Sequence, residues 1–247
     1  MCLLEEPTPQ PIEVAAIEFN LLHGVVRDWH KFINPGPIEM GYQYLAQQIS
    51  ETTHKIPITG MALKTDTYTS IYDELLNFLS KGSTLIPPIH VKMSDCDKVE
   101  GCIKWLAQMA GRPAKLKRIY ELEGLILDLD YHLKGQPQDF LASKHTATTL
   151  ISSTIYDWDS GSKCDFHEEN ETSHCSRGFV YKQVYLILDY FCKWHDIPKT
   201  ERHEPGKQEK TYTLIKSETI KSETTSHTSN RHQRTCFDPE TSARRGG

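Results

Sequence analysis

Cys164, His167 and Cys175 stand in the spacing Cys-x2-His-x7-Cys, inside Lys163-Cys-Asp-Phe-His-Glu-Glu-Asn and the run that follows it. Two soft thiolates and an imidazole this close in sequence suit Zn2+, and a two-residue gap lets the first pair chelate together from one curled loop. Three ligands leave a fourth position. A side chain there makes a closed, structural site; water there makes a catalytic one. The same residues also allow a plainer reading, in which the two thiols pack as small apolar groups beside a surface histidine.

Other residues with chemical potential are read the same way. A two-metal nuclease needs carboxylates that share an ion, beginning with a pair on the first strand. Glu13 and Glu18 lie five positions apart on that strand, and alternation puts them on opposite faces. Asp95 and Asp97 fall at a strand end, where they read as helix-capping and helix-dipole charges. Asp128 and Asp130 read as solvated helix surface. His30 follows an apolar strand and His54 sits before Lys55-Ile56-Pro57, and each suits either a bond to a backbone carbonyl or a contact with phosphate. Trp29, Phe32, Tyr42 and Tyr44 could stack bases, although aromatics in strands usually form core. No nucleophile elbow, Walker loop or dinucleotide fingerprint occurs.

The elements that must position these groups follow from pattern. Pro11–Asn20 and Gly24–Ile33 read as strands, the second ending at the Asn34-Pro35-Gly36-Pro37 turn. Gly41–Ile49 fits a strand or a short helix equally. Ile71, Leu75, Leu76, Phe78 and Leu79 share one helical face that Gly82 closes. Leu85–Val91 leads into a strand. Ser94-Asp95 then caps a helix carrying Val99, Cys102, Ile103, Leu106 and Met109, which completes a βα unit. Further helical stretches cover Leu116–Leu133, Phe140–Tyr156 and, after a loop, Cys175–Trp194. The class is mixed α/β.

The chain has 247 residues, 38% of them hydrophobic and 25% charged, and a net charge of −5. Residues 199–247 hold ten Lys/Arg against seven Asp/Glu, a net of +3, which leaves −8 on residues 1–198. So acidic a body is a poor general trap for phosphate, and any RNA contact must come from a local patch, the tail or a partner. The expected division is a leader over 1–11, a folded domain over 12–198 and a disordered polar tail over 199–247. That tail is poor in large apolar residues and repeats Ile-Lys-Ser-Glu-Thr in tandem, a composition that cannot offset its ordering entropy. Seven cysteines with no secretory or membrane-spanning pattern imply a reducing compartment, cytoplasm or nucleus.

Phe32-Ile33-Asn34-Pro35-Gly36, Ser50 through His54-Lys55-Ile56-Pro57-Ile58, and Cys164-x2-His167-Glu168-Glu169-Asn170-x4-Cys175 together resemble the Maelstrom domain, in order, from about Ile12 to about Trp194. The resemblance implies a ribonuclease H-like fold of the exonuclease type: a mixed sheet flanked by helices, without its catalytic carboxylates and with one structural zinc. It implies Glu13, Cys164, His167 and Cys175 as the zinc ligands, with Glu18 the weaker alternative to Glu13. It further implies a role in the piRNA pathway, repressing transposons in the germline from the nucleus and perinuclear granules, with single-stranded RNA and piRNA-pathway proteins as partners. His30 and His54 are the candidate RNA contacts. Family members commonly carry an HMG box ahead of this domain, and none lies in the leader here, so DNA binding through a box is not expected. No catalytic residue is assigned. The rival expectation is an active single-strand-specific endoribonuclease with His30 and His54 as acid and base.

Overall fold

A computed structural model describes residues 10–61, 66–83, 85–116, 118–134, 143–157 and 161–206. Most of the leader, the segment that opens the expected Phe140–Tyr156 helix, and the tail beyond 206 lie outside the described residues.

Strand β1 (Glu13–Asn20) turns back into antiparallel β2 (Gly24–Phe32), with Glu13 opposite Phe32, Ala15 opposite His30 and a bulge after Glu18. Asn20 closes the turn by accepting the backbone N–H groups of Leu22 and His23. Both faces of this hairpin are covered. Val14 and Trp29 point to a core built by helix α2 (Tyr68–Ser80) and helix α3 (Cys96–Met109), with Ile71, Tyr72, Leu75 and Leu106 at its centre. Ile17, Phe19 and Val25 point the other way, onto Tyr181, Val184, Tyr185 and Leu188 of the long helix α7 (Ser176–Trp194). Double burial explains why β1 carries apolar residues on both faces. Glu13 and His30 share the α7 face, whereas Glu18 points to the α2 face.

The region Gly41–Ile49, ambiguous by periodicity, falls mostly within helix α1 (Gln43–Thr52). The stretch Leu116–Leu133 departs from expectation. It begins as strand β4 (Ile119–Glu121), parallel to β3 (Ile89–Val91), and only then becomes helix α4 (Leu122–Lys134). A three-residue strand is too short to show its own period. Where one mixed sheet is expected, the described residues form two two-stranded sheets, β1-β2 and β3-β4. Pro87-Pro88 ahead of β3 cannot donate to a ladder, which keeps that strand short.

Helix α5 (Lys144–Ile151), capped by Ser143, packs with α4 against the second flank of α7, through Leu122, Ile126, Ala147, Ile151, Ile187 and Phe191. Burying each such large side chain is worth about 1.5–3 kcal/mol gross. Helix α7 therefore joins two cores and fixes what its first residues face. Asp130, expected on the surface, is instead 1% exposed and accepts the Tyr190 hydroxyl. The neighbouring Glu123, also 1% exposed, accepts the Met93 N–H and the Thr148 hydroxyl. Glu123, Ile126 and Asp130 recur at helical spacing on the inner face of α4. Asp95 sits at the N-cap of α3 but makes no capping bond with its side chain.

Residues 199–206, beyond the expected boundary at 198, are packed against the hairpin. His203 is fully buried, donates from Nε2 to the Leu21 carbonyl and accepts the Thr200 N–H at Nδ1. Val25 N–H donates to Arg202 O, and Gly24 (φ +69°) lies so close that a Cβ would meet that oxygen at 2.3 Å.

Candidate metal centre

Three elements converge at the N-terminus of α7. Cys164 is the N-cap of a short helix, α6 (Asp165–Glu169), and one turn later His167 projects from it on the same side. Cys175 is the N-cap of α7, accepting the Gly178 N–H at its sulfur. Glu13 arrives from the start of β1. The ligand-type atoms of these four residues all lie within 4.8 Å of one another. Cys164 Sγ is 3.0 Å from His167 Nδ1 and 3.9 Å from Cys175 Sγ. Glu13 Oε1 is 3.7 Å from Cys175 Sγ and 3.5 Å from His167 Nδ1. These four side chains could hold a metal ion.

The electrostatics suit such a site. Burial pushes the Cys175 thiol up to about 12, and the Glu13 and Cys164 charges push the same way, against the Gly178 and Cys164 backbone N–H groups. Ionising it there needs a compensating cation. Burial lowers the pKa of His167, outweighing the Glu13 carboxylate and the His54 backbone, and so keeps the ring neutral as a ligand must be. Burial works against ionised Glu13, but the His30 bond, the Ser176 N–H and the nearby His167 hold its pKa below the usual range. These surroundings favour the carboxylate form of Glu13, the neutral form of His167 and the protonated thiol of Cys175.

The remaining sequence candidates are placed plainly. Glu18 is remote from the cluster, paired with Arg27 (2.7 Å) and Lys81. His30 does not point to solvent: its Nε2–H donates to Glu13 Oε1 at 2.7 Å. His54 accepts the Ile56 N–H at Nδ1 and lies close enough for His167 and His174 to lower its pKa, after burial itself. Sequence reasoning missed Arg177. Its guanidinium donates to Asp28 (2.8 Å) and to the carbonyls of Ser162 (3.1 Å) and Lys163 (2.9 Å), and it stacks over Tyr181. It thereby ties the ligand loop to β2 and α7. A lone Arg in the first turn of a helix carries no sequence signal for that task.

A family model described as "Maelstrom: piRNA pathway germ-plasm component" matches residues 5–210. The chain belongs to the Maelstrom family. It is 30% identical over 196 residues to the maelstrom homolog of Xenopus tropicalis, covering 79% of this chain and 46% of that protein. It is likewise 30% identical over 197 residues to the Sus scrofa homolog, covering 79% and 44%. Protein maelstrom 1 of Drosophila pseudoobscura pseudoobscura is 29% identical over 219 residues, covering 83% and 59%. The chain thus spans about half the length of these relatives. Among the described residues no helix is long and apolar enough to cross a membrane.

Proposed function

We propose that this chain is a zinc-stabilised, ribonuclease H-like module that binds single-stranded RNA and protein partners in piRNA-mediated transposon silencing in the germline. Cytoplasmic granules near the nucleus, and the nucleus itself, are its proposed places of work. The observation that carries the reading is the convergence of Glu13, Cys164, His167 and Cys175 at one point that joins β1, α6 and α7.

Zinc is favoured by donor type and by distance. A tetrahedral ion with Zn–S of about 2.3 Å and Zn–N or Zn–O of about 2.0–2.1 Å sets edges near ~3.8 Å (S–S), ~3.6 Å (S–O, S–N) and ~3.4 Å (N–O). The observed 3.9, 3.7 and 3.5 Å edges lie close to these. The shorter 3.0 Å Cys164–His167 edge is that of a thiol–imidazole hydrogen bond. Four protein ligands leave no position for a reacting water, so the centre holds structure together. Glu18 lies on the other face of β1 from Glu13, as expected, which agrees with a binding role over two-metal hydrolysis. Cleavage by a histidine pair is disfavoured because His30 is engaged by Glu13 and the His54 Nδ1 by a backbone N–H.

The test is to purify the full chain, measure zinc by elemental analysis, and incubate it with labelled single-stranded and duplex RNA. About one zinc per chain is expected, with retention of the single strand and no cutting. A zinc-free folded protein, or cleavage abolished by His54→Ala, would sink this reading.

A further inference from the structure

His30 has a task that its sequence context conceals. In the β1–β2 register it stands opposite Ala15, so Glu13, two residues along, is its diagonal neighbour on the same face. Diagonal neighbours meet only through long side chains, and here they meet at 2.7 Å, Nε2–H to Oε1, with both side chains largely buried. Oε1 is the carboxylate oxygen that faces Cys175 Sγ and His167 Nδ1. The other oxygen, Oε2, accepts the Ser176 N–H at 2.9 Å. The carboxylate is therefore held at both ends, and its terminal torsion, broad in a free side chain, is locked.

The imidazole is itself braced. It lies edge-on to Phe32, with ring centroids 5.0 Å apart and planes at 78°, and Phe32 lies edge-on to Phe166 at 5.8 Å and 82°. Phe166 belongs to α6, between Cys164 and His167. One ring thus orients the carboxylate directly and is packed, through a second ring, against the helix that carries two other members of the cluster.

We propose that His30 is a positioning residue of the metal centre, which keeps the Glu13 carboxylate aimed at the ion through its Nε2–H and so slows metal loss. This rests on the zinc reading. Outer partners that orient a ligand govern metal affinity by roughly 10–100-fold. Glu13 is the only ligand supplied by the hairpin, so freeing its carboxylate loosens the hold of β1 on the N-terminus of α7.

Three variants of the full chain test it. His30→Phe keeps a ring against Phe32 and removes the donor, His30→Ala removes both, and His30→Gln restores an N–H near the Nε2 position. Zinc release is followed with a chelating dye, and the visible absorption of the cobalt-substituted protein reports the geometry of the four ligands. The expected result is release faster by about 10–100-fold in His30→Phe, an altered cobalt band, and recovery of both in His30→Gln. Release and spectrum unchanged in a folded His30→Phe overturn the proposal. Failure of His30→Gln to recover either property also overturns it, because packing and not the hydrogen bond is then responsible. A wild-type chain that binds neither zinc nor cobalt overturns the zinc reading itself. Ordinary binding by the wild type with indistinguishable variants overturns only the role of His30.

Discussion

Replacing Cys175 with serine separates a metal ligand from a buried thiol better than any deletion does. Cys175 has two local roles: its sulfur caps α7 by accepting the Gly178 N–H, and it faces Glu13 and Cys164. Serine is a better N-cap than cysteine, a gain of about 0.5–1 kcal/mol. The lost sulfur contacts cost about as much as the cap gains. Without a metal the substitution is therefore close to neutral. With a structural zinc the outcome is different. Apparent binding free energies of about 10–16 kcal/mol, shared over four ligands, put about 2.5–4 kcal/mol on this one. At roughly 2–4 °C per kcal/mol for a body of this size, melting should fall by on the order of 10 °C. The assay is thermal melting of wild type and Cys175→Ser, each with and without a strong chelator. The large difference should appear only without chelator, and vanish with it, whether both chains are then folded or both unfolded. A drop of equal size in both conditions would refute the reasoning, since packing and not an ion would account for it.

Four further outcomes follow from the same geometry. Because burial holds the Cys175 proton up to about 12, zinc uptake at neutral pH must expel it. Apparent zinc affinity should fall about tenfold per pH unit on acidification for each proton released, as read by competition with a calibrated chelator. In the metal-free chain the raised thiol has the opposite sense: stability is intact below its ordinary 9.0 and is lost as pH rises through about 12. Arg177→Lys keeps the charge but loses the fork that grips the Ser162 and Lys163 carbonyls together with Asp28. A loss of about 1–3 kcal/mol is expected in denaturant unfolding, with faster zinc release; an unchanged release rate would show that the loop holds itself. Gly24→Ala forces a Cβ onto Arg202 O at 2.3 Å in a left-handed conformation, so 199–206 should detach from the hairpin. Amide exchange at Val25 and His203 should accelerate more than in the α7 core, and uniform acceleration would contradict this local account.

Elements with strong local codes are legible in the sequence: the β1–β2 pair, the amphipathic α2 and α3, the closing helix α7, and the Cys-x2-His-x7-Cys spacing. In each, period, capping residue or ligand spacing acts within a few residues, so neighbours in sequence carry the information. Tertiary structure alone decided the rest. The family resemblance names Glu13 for the cluster, but the strand's own alternation does not; it meets Cys175 across 162 positions because both strand faces are buried and α7 lies across one of them. Asp130 looks like solvated charge until the inner face of α4 is known, and it is buried because a tyrosine of α7 satisfies it. In sequence His30 suits either a bond to a backbone carbonyl or a contact with phosphate, and it becomes a brace for Glu13 only once the hairpin register is set. Ile119–Glu121 becomes a strand because β3 offers it an edge, a pairing that no local propensity records. Residues 199–206 lack apolar content of their own, yet they are held by one buried histidine and a glycine that lets their backbone approach the hairpin. Contacts distant in sequence are fixed by shape and by the pairing of most buried polar groups, and those conditions exist only after the chain has folded.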